Sequence, residues 1–148
     1  MRTRAKHAVD SAAMASISGW LALACIVLAA TVPLAHRARQ HKRATPESPT
    51  IRAHVLLGLL TSLTAFLHTG LVLPELGSEA AVGGGTLAFF AGAFAFMVMI
   101  AHAGLGLGLR NPKIRHRAER RRRHATTAAL LGAIVVIHVV LLLRASHG

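Results

Sequence analysis

Two pairs of histidines lie within or at the edge of long apolar stretches of the chain. His54 and His68 lie within one stretch, His124 and His138 lie at the start and near the end of another, and the members of each pair are fourteen residues apart. Fourteen residues of α-helix turn through about 1400°, which is about 40° short of four full turns, and rise about 21 Å. Each pair is therefore predicted to lie on one face of a helix, with one imidazole towards each end.

Imidazoles at such positions are candidate metal ligands, and the choice of metal depends on how many ligands meet. Zinc requires four protein ligands, or three and a water, but two histidines would meet at each level and the apolar stretches contain no carboxylate. The single cysteine, Cys25, excludes a disulfide within the chain and a cysteine-based cluster. Haem iron brings four nitrogens of its own and needs only axial ligands, for which histidine is common.

The elements that must position these histidines follow from the hydropathy of the chain. Hydrophobic residues make up 53% of it, although its formal net charge is +12. Four apolar stretches, at 16–35, 51–73, 86–109 and 125–143, each reach the ~18 residues of a transmembrane candidate, and segments that cross lipid without partners must be helical. The sequence predicts an all-α integral membrane four-helix bundle, with residues 1–148 forming one transmembrane domain.

The distribution of lysine and arginine predicts the orientation of these helices. The first and third loops are rich in both residues, whereas the second has neither and carries Glu75 and Glu79. The positive-inside rule then places the first and third loops in the cytoplasm and both termini outside, and we expect a bacterial inner membrane. The charge is assigned to topology and to membrane lipid, and no nucleic-acid partner is expected, because that role needs a basic face on a folded soluble module.

With this orientation the second and fourth helices run parallel. His54 and His124 then lie at one depth near the cytoplasm, and His68 and His138 at one depth near the outer surface. The sequence predicts two b haems, one held by each pair.

Further candidates for cofactor binding surround these pairs. Gly58 is one of several small residues between His54 and His68, and Gly92 and Gly106, again fourteen apart, mark places where a haem could approach backbone. Two arginines and a histidine are candidates for haem propionates, and the histidine also for a quinone or a proton: Arg52, Arg123 and His102. Helix packing, topogenic charge and a core histidine stay open as alternatives for these residues.

The paired histidines on two parallel helices, with glycines at the same interval on a neighbour, resemble the haem-binding bundle of cytochrome b from quinol:cytochrome c reductases. The pattern is also similar to the membrane core of ferric reductases and NADPH oxidases and, more loosely, to cytochrome b561. The resemblance implies that His54, His68, His124 and His138 are axial ligands of two low-spin haems. The first helix departs from the pattern, because Gly19 has no second glycine at the matching interval.

Three functions follow from these patterns. The first is transmembrane electron transfer as the cytochrome b subunit of a quinone-linked redox complex, with partner subunits and the quinone pool. The second is a free-standing oxidoreductase for a small one-electron substrate such as ferric ion, superoxide or ascorbate. The third is a haem-free membrane scaffold or metal-handling protein. Whether the chain is itself an enzyme stays open.

Overall fold

The protein is all-helical, as the sequence predicts. The computed structural model describes residues 2–73 and 85–145, with side chains from Ala13 onwards. The helices of these ranges are α1 (Arg2–Gln40), α2 (Pro49–Val72), α3 (Gly85–Gly108) and α4 (Arg117–Ala145).

Two of the helices are longer than their apolar stretches. α1 begins at Arg2 and continues to Gln40, beyond both predicted limits, and α4 begins at Arg117 instead of residue 125. Hydropathy marks only the part of a helix that suits lipid, whereas arginine, lysine and glutamate are good helix formers and continue a helix into the polar region. The second loop, with Glu75 and Glu79, lies outside the described residues.

Hydrogen bonds from or to side chains mark the helix ends at both basic loops. Ser48 caps α2 by accepting a hydrogen bond from the Ile51 amide at 3.3 Å, and Pro49 opens the helix, a position where its missing N–H costs nothing. In the other loop the Arg117 guanidinium donates to the carbonyls of Leu109 (3.1 Å) and Asn111 (2.7 Å). These bonds tie Arg117 to the turn that follows α3, while the last carbonyls of α3 itself accept from the backbone N–H groups of that turn.

The helices form two antiparallel hairpins, called here hairpin A (α1 and α2) and hairpin B (α3 and α4). Packing is extensive within each hairpin, whereas among the described residues few contacts join the two. The loops at 41–48 and 109–116 lie at the same end of the molecule, which we call the basic end. α2 and α4 both start there and run parallel, as the arrangement of histidines requires.

The outward surface of the helices is apolar. Large side chains such as Leu63, Leu87 and Phe90 are mostly exposed, and all four helices are long and apolar enough to cross a membrane. An apolar surface of this extent favours contact with lipid over water. The prediction of four helices suited to a membrane is confirmed.

Candidate functional site

All four histidines predicted as ligands make the same kind of hydrogen bond. In each, the ring Nδ1 donates to a backbone carbonyl of the neighbouring helix: His54 to Ala29 at 2.8 Å, His68 to Ala15 at 2.9 Å, His124 to His102 at 3.2 Å and His138 to Ala88 at 2.8 Å. A carbonyl oxygen only accepts, so Nδ1 carries the proton in every case. The other nitrogen, Nε2, then has a lone pair available for a metal.

These bonds lie entirely within the hairpins. The rings of α2 donate to α1, and the rings of α4 donate to α3. The accepting residues are again fourteen apart, as Ala15 and Ala29 on one helix and as Ala88 and His102 on the other. Each hairpin therefore orients its own two imidazoles, and the two hairpins repeat one arrangement.

Three glycines make room for the rings. A side chain built on Gly92 would lie 2.8 Å from the His138 ring, one on Gly106 would lie 3.0 Å from the His124 ring, and one on Gly19 would lie 3.1 Å from the His68 ring. Each glycine is four residues after an accepting carbonyl, on the same helix face. A side chain on Gly92 or Gly106 would meet an imidazole, and the approach of a haem to these two glycines stays a prediction.

The fourth ring has a proline where the others have a glycine. Pro33 lies inside α1, fourteen residues after Gly19 and four after Ala29. Because proline has no N–H, the Ala29 carbonyl lacks its usual helical donor. His54 supplies a donor to this oxygen at 2.8 Å.

Pro33→Ala is expected to weaken the bond that orients His54. The new amide N–H would compete for the Ala29 oxygen, while the helix itself loses an unfavourable residue. The thermal stability of the cofactor-free protein should stay the same or rise. The affinity of the basic end for an added metalloporphyrin should nevertheless fall, by up to about tenfold. Thermal unfolding of the variant tests the expected stability, and haem titration tests the expected loss of affinity. A fall in both the stability and the affinity would mean that Pro33 only sets the shape of the helix.

The histidines of the basic end face each other across the hairpins. The ring centroids of His54 and His124 are 6.1 Å apart, and the planes of the rings are at 82°. A metal bonded to both rings would hold their centroids roughly 6 Å apart, given metal–nitrogen bonds of about 2 Å. At the other end His68 and His138 are close enough to interact electrostatically. The structure therefore brings the basic-end pair into ring contact and places His68 and His138 on the same side of the two hairpins at the opposite end.

His102 lies beside the basic-end pair, His54 and His124. Its ring stacks on that of His124, with centroids 3.9 Å apart and planes at 12°. The Thr127 hydroxyl donates to the His124 carbonyl at 3.0 Å, so the bond of 3.0 Å between this hydroxyl and His102 has Nδ1 of His102 as its donor. His102 therefore supports His124 twice, through its backbone carbonyl and through its ring.

His102→Ala is expected to leave the number of bound haems unchanged. The carbonyl that orients His124 belongs to the backbone and survives the substitution, whereas the stacked ring is lost. The measurement is the haem content of the purified variant, together with the position of its absorption bands, which should shift slightly. A variant that holds one haem fewer would make His102 a ligand.

Among the described residues, the four rings make no hydrogen bond to the remaining predicted residues, whose part in cofactor binding stays a prediction. A side chain on Gly58 would meet nothing within 4 Å, Arg52 is exposed, and Arg123 pairs with Glu119. Within the described ranges, no three or more histidine, cysteine, aspartate or glutamate side chains are arranged to hold a metal ion. A macrocycle that supplies its own equatorial nitrogens needs only two protein ligands, and the histidine pairs fit this requirement.

Several residues that position the rings have no chemical signature in the sequence. Ala15, Ala29 and Ala88 act through their carbonyls. Ser18, which is 3% exposed, donates to the Ala15 carbonyl at 2.9 Å and lies 3.4 Å from Nδ1 of His68. One signal of these contacts is present in the sequence. Gly19 and Pro33 are fourteen residues apart, as Gly92 and Gly106 are, but the second position is a proline and not a glycine.

The comparisons with known proteins add no family to these observations. No protein-family model, no curated protein and no solved structure matches this chain.

Proposed function

We propose that this protein transfers electrons across a membrane through two b haems, each held by one histidine from α2 and one from α4. His54 and His124 would hold the first haem at the basic end, and His68 and His138 would hold the second at the opposite end. In this proposal the basic end faces the cytoplasm, as the positive-inside rule favours.

The observation that carries the proposal is the shared orientation of the four imidazoles. A metal-ligating histidine almost always donates its second ring nitrogen to a carbonyl, carboxylate or water, which fixes the tautomer and raises the basicity of the ligand. All four rings donate from Nδ1 to a carbonyl. An ordinary packing role would not require the same tautomer at four positions on two helices.

The tertiary arrangement adds support. The hairpins are each well packed and touch each other little within the described ranges, so the ligands of a pair come from two bodies that a flat cofactor can join. The four rings are half-buried, and lipid around the apolar helices would keep water from both sites, which would limit the change in solvation that accompanies a change of charge. Bound haem would supply a one-electron couple at its iron.

A haem held by two histidines would offer no open position to a substrate. Electrons would therefore enter and leave through other carriers, such as a partner subunit or a membrane quinone. This consideration favours a subunit of a quinone-linked complex over a free-standing oxidoreductase.

The test is a dithionite-reduced-minus-oxidised absorption spectrum of the detergent-purified chain, with the haem extracted and counted. We expect sharp low-spin b-type bands and two haems per chain. A well-folded, colourless protein that takes up no added haem would overturn the proposal and favour a haem-free scaffold.

A further inference from the structure

A second feature of the basic end lies away from the histidine pairs, in hairpin B. An open groove of about 820 Å³ runs between α3 and α4. Its floor contains Ala101, Gly104 and Leu105. Ala101 and Gly104 are exposed, whereas His102 and Gly106, which adjoin the candidate haem site, are half-buried. The groove therefore opens towards the surroundings of the protein.

The floor of this groove is apolar and has free space above it. A side chain built on Gly104 would meet no atom within 4 Å. This stretch of α3 belongs to a helix suited to a membrane, so an apolar chain lying over Gly104 would contact an apolar floor and lose no hydrogen bond. The floor suits a hydrocarbon tail.

The rim of the groove is basic. Arg120, Arg122 and Arg123 line it together with the carboxylate of Glu119. Arg123 pairs with Glu119, whereas no ion pair to Arg120 or Arg122 is found among the described residues. The rim thus offers two guanidinium groups to an anion, and guanidinium is well matched to the oxygens of a phosphate group.

From the apolar floor and the basic rim we infer that the groove binds an anionic phospholipid, with its phosphate at Arg120 and Arg122 and an acyl chain over Gly104. Basic pockets between membrane helices on the cytoplasmic side are suited to anionic headgroups. A neutral quinone would leave the two arginines without a counter-charge, and inorganic phosphate would leave the apolar floor uncovered. The inference does not depend on haem.

The experiment is native mass spectrometry of the purified full chain with equimolar phosphatidylglycerol and phosphatidylcholine of identical acyl chains. We expect the first bound lipid to be phosphatidylglycerol, with a preference of roughly tenfold, since each basic residue near an anionic headgroup contributes to binding. Equal retention of the two lipids would overturn the inference.

Matched variants distinguish binding in the groove from general attraction of the lipid to the positively charged loop. Arg122→Gln is expected to lose most of the preference, and Arg120→Gln likewise. Arg115→Gln removes the same charge from an exposed position that does not line the groove and should retain the preference. An equal loss in the Arg115 variant would mean that the net charge of the loop, and not the groove, attracts the lipid.

A second pair of variants tests the floor. Gly104→Leu fills the groove, and Gly70→Leu adds the same side chain at another exposed glycine, on α2, that also has nothing within 4 Å. The first should lower lipid retention and the second should not, while both keep the helical circular dichroism of the parent. If Gly104→Leu has no effect and millimolar inorganic phosphate removes the bound lipid, the rim binds a bare anion and the inference fails.

Discussion

His68→Ala and His138→Ala are each expected to yield a protein that binds one haem in place of two. Either change removes one of the two imidazoles that meet at the end remote from the basic loops, while His54 and His124 keep their bonds to Ala29 and His102. The count of extracted haem per chain should fall by half, and the low-spin bands should lose half of their amplitude.

Two comparisons make this prediction decisive. His36→Ala also removes an imidazole with one hydrogen bond, the 3.2 Å contact with the Thr50 hydroxyl, but should keep both haems because His36 is in neither pair. Added free imidazole should restore the second haem to the His138 variant by occupying the vacated position. Two haems retained in both single variants would show that these histidines are not the ligands, and loss of both haems would indicate general unfolding.

Gly92→Ala is expected to weaken haem binding at the end that contains His68 and His138, although both histidines remain. The new methyl carbon would lie 2.8 Å from the Cε1 atom of His138, which is too close, and the ring is pinned by its bond of 2.8 Å to the Ala88 carbonyl. The ring must turn away and give up that bond. Overpacking of this kind costs about 1–3 kcal/mol, and loss of the orienting bond should weaken haem binding at this end by about 10- to 100-fold.

The control for this variant is Gly70→Ala. Gly70 is an exposed glycine of α2, and a side chain there meets nothing within 4 Å, so alanine should be neutral or slightly stabilising because it is the better helix former. Haem titration and thermal unfolding of the two variants provide the measurement. Equal behaviour of the two variants would show that the close approach of His138 to Gly92 has no role in ligand geometry.

The features that depend on one helix at a time could be predicted from the sequence. Four apolar stretches suffice to predict four helices, and the interval of fourteen places His54 and His68 on one face. The start of α4 at Arg117 could not be read from hydropathy, because a helix that leaves the apolar region continues as long as its polar residues allow.

The features that depend on how two helices meet were largely hidden. An acceptor such as the Ala15 carbonyl is identical in every residue type, so nothing in the sequence marks it. The stacking of His102 on His124 depends on the register of α3 against α4 and on two rotamers. Of the positioning residues that the sequence analysis did not single out, Pro33 was within reach, because proline both occupies the glycine position and frees a carbonyl.

The confinement of all four ring-to-carbonyl bonds within the hairpins has a consequence for biogenesis. An imidazole N–H that enters lipid without a partner is costly, but here the partner is always the adjacent helix in the chain. We therefore expect each hairpin to enter a membrane with its ring donors already satisfied. The two hairpins would be inserted one after the other during synthesis and would dock with each other afterwards.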